Sequence, residues 1–333
     1  MLSELVVSYL FLGGCGAGGC LVVAALSLLI AREDLRPALA SRFASCAGAL
    51  YRKFVSPILM ASLGALALGS ICLFADLGQP GRIFLLLFSG VVTHLTVGAW
   101  ALVLCFLVGA FLVLVWQGVV PVTAMAFRIV NGLLAALSLV VALYTGLLLS
   151  SVAAVPVWHS GWLAVLFLVS AISCGIALMG GVSALSEGGR CFTRALRRLA
   201  KLDMVVIVVE AVVVALWLLL PAFSGETVSA QAGDASFAAL TAGALAPLFW
   251  AGFCGLGLAL PFVVEGASTF GLALPSRGGA PRATSAQQAE SPAAMRIGLL
   301  VSAIAVLIGG YLLRYLVVAS AVAPVSLLAP GLL

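Results

Sequence analysis

Apolar residues run along this chain in long unbroken blocks separated by short polar pieces, with no stretch of strict alternation. Eight blocks stand out, near 5–31, 54–75, 91–116, 127–151, 161–185, 204–223, 237–264 and 295–320. Each is about as long as the roughly 20 residues an α-helix needs to cross about 30 Å of hydrocarbon. The absence of a period-two pattern argues against strands. The pattern therefore predicts an all-α membrane protein of eight transmembrane helices. It forms a single integral membrane domain over 1–333, with helices 1–4 in 1–151 and helices 5–8 in 161–320, arranged as two four-helix bundles. The first block lacks a basic leading segment, is too long for a signal peptide, and is closed by Arg32, so it reads as a helix.

Two polar segments interrupt the pattern. Residues 224–236 (SGETVSAQAGDAS) read as a short loop. Residues 273–293, rich in Pro, Gly and small polar residues, read as a flexible linker before helix 8.

Composition agrees with the pattern. Of the 333 residues 64% are hydrophobic and 8% are charged, against about a quarter charged in soluble domains. So few charges cannot cover a soluble fold of this size. The net charge of +5 is therefore read by side of the membrane, and a nucleic-acid partner is excluded. Arg32, Arg36, Arg42, Arg52 and Lys53 follow the first block; Arg128 begins the fourth. Arg190, Arg194, Arg197, Arg198 and Lys201 follow the fifth, and Arg277, Arg282 and Arg296 precede the eighth. Fourteen of the 16 basic residues thus fall on one side; Arg82 stands on the other, and Arg314 lies inside the last block. The richer side is cytoplasmic by the positive-inside rule. Both termini then face outward, in a multi-pass protein of the bacterial inner membrane with lipid as its surroundings.

Few side chains here can do chemistry. The eight cysteines form no C-x-x-C and precede no His in a haem-attachment motif, so the protein itself is expected to hold no metal and no iron–sulfur cluster. His94 lies near the outer end of helix 3 and His159 in the outer 4–5 loop. They make a poor axial pair, so no haem is expected. His94, at the membrane edge, reads as either a proton-handling group or a structural hydrogen bonder. Glu210 sits alone in VVIVVEAVVVALW, two turns from Asp203. A carboxylate there must be neutral or paired, or serve as a station in a proton path. Glu265, at the cytoplasmic end of helix 7, reads as an acid snorkelling to the surface. Tyr144 lies toward the outer half of helix 4 with a phenol able to donate to a carbonyl oxygen. The six tryptophans, Trp158 among them, mostly fit an interfacial belt. Gly14-Cys15-Gly16-Ala17-Gly18-Gly19 matches the dinucleotide glycine pattern but lies inside a membrane helix without the βαβ unit that motif requires. It reads instead as a face for close helix packing or as a flat wall against a ring.

Taken in order, several segments resemble the NrfD-like family, the membrane subunits of polysulfide reductases and their relatives. They are Tyr9-Leu-Phe-Leu-Gly-Gly-Cys-Gly-Ala-Gly in helix 1 and Ala75-Asp76-Leu-Gly-Gln-Pro-Gly-Arg82 after helix 2. Val97-Gly-Ala-Trp100, Tyr144-Thr-Gly146 and Leu202-Asp203 leading to Glu210 continue the series. The resemblance spans about residues 5–270. One departure precedes helix 3, where Thr93-His94-Leu95-Thr96-Val97 stands in place of a Ser-Pro-Met-Ser-Trp-like stretch.

The resemblance implies a quinone-handling membrane anchor, the quinone-site subunit of an oxidoreductase, with menaquinone as the expected quinone. Its implied partners are a four-cluster ferredoxin-type iron–sulfur subunit and a molybdopterin or related catalytic subunit. On this reading Asp76, His94 and Tyr144 serve catalysis; Tyr9, Gly13, Gly16, Arg82 and Tyr144 hold the quinone; and Glu210 and Asp203 form a proton path. The competing expectation is a proton- or ion-translocating transporter bundle, against which stands the lack of a visible internal repeat.

Overall fold

The structure is a computed structural model. It describes residues 4–29, 46–77, 94–151, 158, 161–186, 193–219, 237–270 and 292–328. The 224–236 and 273–293 segments, His159 and Arg82 lie outside the described residues.

Every regular element among the described residues is helical, and eight helices are long and apolar enough to span a membrane. They are α1 (Glu4–Leu29), α2 (Cys46–Leu77), α3 (His94–Gln117), α4 (Ala124–Ser150), α5 (Gly161–Leu185) and α6 (Thr193–Leu219). A π-helical segment, Leu248–Ala259, runs directly into the α-helix Leu260–Phe270; together they form α7. The last is α8 (Pro292–Leu328). Helix α5 has the predicted bounds. Helix α6 begins earlier than hydropathy alone places it, because its first turns are polar, TRALRR before the apolar run; α2 also begins earlier, with CAGALYRK ahead of its apolar run.

The seventh span differs from its expected form. Hydropathy predicts one helix from 237; the polypeptide instead makes a short helical piece at 237–241, turns, and starts α7 beyond Pro247. Gly243 weakens the helix in between, and Pro247 lacks the N–H a continuing helix needs.

Helices α1 to α4 close a ring in which each meets its neighbour in sequence and α1 also meets α4. Helices α5 to α8 close a second ring in the same way. Helix α5 joins the two rings by packing on α1, α2 and α4. Consequently α1 and α5 are the most enclosed spans, 67% buried in their apolar windows, while α3 and α7 are 28% buried and turn most of their surface outward.

The glycines of α1 explain how two rings fit around one axis. A Cβ on Gly16 would run into the backbone of α2 at Ser62 and Leu66, at 2.7 Å; one on Gly18 would overlap the Ala171 carbonyl on α5. From the other side, Gly175 meets the Gly18–Gly19 backbone. The glycine pattern is thus a close-packing face on two sides of one helix. A tight connection links α3 to α4: Gly118 takes φ 76°, and the Thr123 hydroxyl caps α4 by accepting from the Ala126 N–H at 3.3 Å.

Candidate functional site

Among the polar side chains buried in this apolar bundle, two groups stand out in the described residues, one in each ring.

The first sits toward the start of α1 and the end of α4. Tyr9 is 1% exposed and Tyr144 6% exposed, and their hydroxyls hydrogen-bond each other across 135 residues of sequence. Their neighbours in the same cluster are apolar: Val7, Leu10 and Leu163, with Cys72 and Leu73 from the end of α2. Gly98 on α3 makes room for the Tyr144 ring, which would overlap any Cβ there. Gly13 lies one turn from Tyr9, where a Cβ would stand 3.6 Å from the ring. The family resemblance implied that Gly13 and Gly16 both hold the quinone, Gly16 within a glycine-rich flat wall. Gly16 points elsewhere, into the backbone of α2, which leaves no room for a ring against it.

Beside this pair, the outward face of α2 and α3 carries an apolar groove of about 300 Å³ lined by Leu66, Ser70, Phe74, Leu102 and Phe106 among others. The Ser70 hydroxyl donates back to its own helix at Leu66 O, 2.9 Å, so the lining offers a ligand little beyond hydrocarbon. The groove begins one turn along α3 from Gly98.

The remaining predicted residues of this end are placed less fully. Asp76 is exposed at the end of α2, one turn beyond Cys72 and Leu73. His94 is the first residue of α3, with its side chain outside the described part, as is Arg82. Trp158, expected in the interfacial belt, is instead buried and donates its indole N–H to Val317 O of α8 at 2.9 Å. Trp116 and Trp217 are also buried, whereas Trp100, Trp162 and Trp250 keep to the outward face.

The second group fills the middle of the α5–α8 ring. Arg314 of α8 is fully buried. It donates from Nε to Leu10 O on α1 at 3.1 Å, and from Nη1 to Gly310 O at 2.7 Å and to the Ser170 hydroxyl on α5 at 3.1 Å. Its guanidinium also stands 5.4 Å from the Phe167 ring centroid and 5.8 Å from that of Phe11, a cation–π environment. A Cβ on Gly14 would strike this guanidinium, so that glycine makes room for a charge. Ser170 also adjoins Glu210 of α6.

Two turns back along α6 from Glu210, Asp203 accepts from the Ser173 hydroxyl at 3.2 Å and adjoins Glu265 of α7. Glu265 Oε1 accepts from the Ser302 hydroxyl of α8 at 2.6 Å. Glu265 is 6% exposed, so the expected snorkelling acid is a buried one. It turns inward because α6 and α8 supply Asp203 and Ser302 as polar neighbours, and a polar contact inside costs less than a lone carboxyl in hydrocarbon.

Arg314, Ser170, Ser173, Glu265 and Ser302 were not singled out from sequence as site residues. A single Arg within an apolar span was the one available signal, since such a residue must face protein and find partners. The serines carried none.

A fold of eight apolar helices in two fused rings, with a phenol pair in one and a buried Arg–acid series in the other, defines an integral membrane protein with polar working parts enclosed in the bundle. Residues 3–274 match the family described as Polysulphide reductase, NrfD. The sequence is also 31% identical over 281 residues to the C subunit of polysulfide reductase from Wolinella succinogenes, an alignment covering 79% of this protein and 82% of that one. The protein belongs to the NrfD polysulphide reductase family, and is a multi-span membrane member of it.

Proposed function

We propose that this protein is the quinone-site subunit of a respiratory oxidoreductase, with the ring site at Tyr9 and Tyr144. The observation that carries the reading is the contact between two buried phenol hydroxyls from helices far apart in sequence. These are groups that both donate and accept, set in an apolar shell and flanked by Gly13 and Gly98. The residues fit a quinone: paired hydroxyls suit two-way hydrogen bonding to a ring oxygen, and the nearby apolar groove suits a prenyl tail. A quinol, when bound, supplies two electrons and two protons.

What the protein's own residues do follows from their chemistry. Tyr9 and Tyr144 orient the ring oxygen by donating to it or accepting from it. The aliphatic shell keeps bulk water away. Asp76, at the end of α2, takes up or returns the proton at the surface, with Arg82 six residues further along the sequence and His94 at the start of α3. None of these groups stores an electron, so electrons pass to or from a partner. A four-cluster ferredoxin-type iron–sulfur subunit, itself joined to a molybdopterin or related catalytic subunit, is the partner in keeping with the similarity to a polysulfide reductase subunit.

The test is quinol oxidation by the assembled complex, measured with Tyr9→Phe, Tyr144→Phe and Asp76→Asn. Losing one positioned proton-handling group lowers turnover by about a hundredfold or more, with the partner subunits still co-purifying. Normal assembly and wild-type turnover in both tyrosine variants would put the ring elsewhere.

A further inference from the structure

The series of polar groups in the second ring has a use that the quinone site does not require. Asp203 and Glu265 are carboxyl groups on different helices, both buried, and adjacent to one another. Ser173 donates to Oδ1 of Asp203 and Ser302 to Oε1 of Glu265. Oδ2 of Asp203 has no hydrogen-bond donor among the described residues, and the group beside Asp203 is the Glu265 carboxyl. Two carboxyl groups can bond to each other only if one carries a proton, since an ionised carboxylate accepts and does not donate. Two bare carboxylates side by side in hydrocarbon would repel at close range in a weakly screening medium. A cavity of about 20 Å³ reaches Glu265 between Gly180 of α5, Ala200 of α6 and Leu299 of α8, enough for one water molecule. It lies toward the end of the ring where Arg296 donates to Ala184 O at 2.6 Å.

We propose that Asp203 and Glu265 share a single proton and form a proton-binding site that exchanges with the Arg296 end of the bundle only. By the charge count this end is the cytoplasmic one. The proton comes from bulk water on that side and returns to it; one O–H bond forms as another breaks, and no electron moves. Exchange in the other direction stops at Arg314. That guanidinium donates to Leu10 O, Gly310 O and Ser170, and does not give up its own proton. It therefore blocks proton passage toward the tyrosines. Among the described residues the pair is faced by Ser173 and Cys174 from α5, Glu210 from α6, and Ser302 from α8, and Glu265 makes a further interaction besides these. Arg314 acts on it from a distance through Ser170 and Glu210.

The proton site stands independently of the quinone reading, and its test needs no quinol. Infrared difference spectra of the purified full-length protein between acid and alkaline pH should contain a protonated-carboxyl C=O band. That band should disappear in Asp203→Asn and in Glu265→Gln. It should shift in Ser302→Ala, which keeps both acids and removes one donor. A band that survives unchanged in all three variants, or a wild-type spectrum with no titrating buried carboxyl, overturns the proposal. Sidedness is read separately in vesicles of known orientation. The same band should follow the pH of the Arg296 side and ignore that of the other, and a band that follows the opposite pH overturns the one-sided exchange. If Tyr9→Phe and Tyr144→Phe both leave quinol turnover intact while this band behaves as stated, the quinone reading fails and the proton site stands.

Discussion

At the scale of single residues, charge is expensive here and each buried charge has a visible reason to be present. Arg314 is fully enclosed, yet its donors reach two backbone carbonyls and Ser170, and two aromatic rings approach its guanidinium. Arg314→Met keeps much of the volume but strips those partners of their donor and leaves Glu210 without its cation. Breaking a buried charged network by removing one member costs about 3–5 kcal/mol. The variant should therefore lower the thermal unfolding midpoint of the purified protein in detergent. The double variant Arg314→Met/Glu210→Gln should recover part of the loss, because the acid then no longer needs the cation. Equal midpoints for the single and double variants would mean that the two residues do not act together. Glu265 makes the same point from the other side. Near the end of its span it reads as a surface acid, and its buried neighbours on α6 and α8 could not be seen from its own stretch of sequence.

At the scale of helices, small residues decide where helices touch. The Gly18–Gly175 crossing brings α1 and α5 backbone to backbone, and Gly257 meets Gly309 where the π-helical part of α7 packs on α8. Gly64 and Gly132, by contrast, have nothing within 4 Å of an added Cβ. Gly18→Leu should separate α1 from α5 and lower stability by about 1–3 kcal/mol or more, the usual scale of overpacking, seen as a lower midpoint and less folded protein. Gly64→Ala should be neutral or mildly stabilising, by up to about 1 kcal/mol, because alanine is the better helix former. If both substitutions behaved alike, the close crossing would not be what holds the two rings together. The groove between α2 and α3 belongs to this scale as well. Filling it with Ala67→Phe should raise the apparent Michaelis constant for a long-tailed quinol in the assembled complex while leaving a tail-less analogue unaffected. An equal effect on both would remove the groove from the binding of the tail.

At the scale of the whole molecule, the proposed orientation rests on the distribution of charge, and the proposed partner on the lack of any redox group at the phenol pair. A cysteine probe at Ser41, in a background free of other cysteines, should be reached from the cytoplasmic side only, and one at Ser229 from the outer side only; the reverse pattern would invert the docking face. The complex should co-purify with an iron–sulfur subunit held at the Asp76 end of α2 to α4. How much of this was legible in the sequence depends on range. Hydropathy is a sum over neighbours in sequence, so the number of spans, their approximate limits, the helical class and the distribution of positive charge could all be read directly. Tyr9, Tyr144, Asp203 and Glu210 were visible as polar residues in apolar surroundings. Which of them meet was not, because contacts such as Tyr9 with Tyr144, Leu10 with Arg314 and Asp203 with Glu265 join different helices. A helix rotated by one residue presents a different face with the same hydropathy. The tertiary packing decided those faces through the glycine crossings of α1 and α5, and so turned Glu265 inward, turned Gly16 toward α2, and set Arg314 against α1 at Leu10.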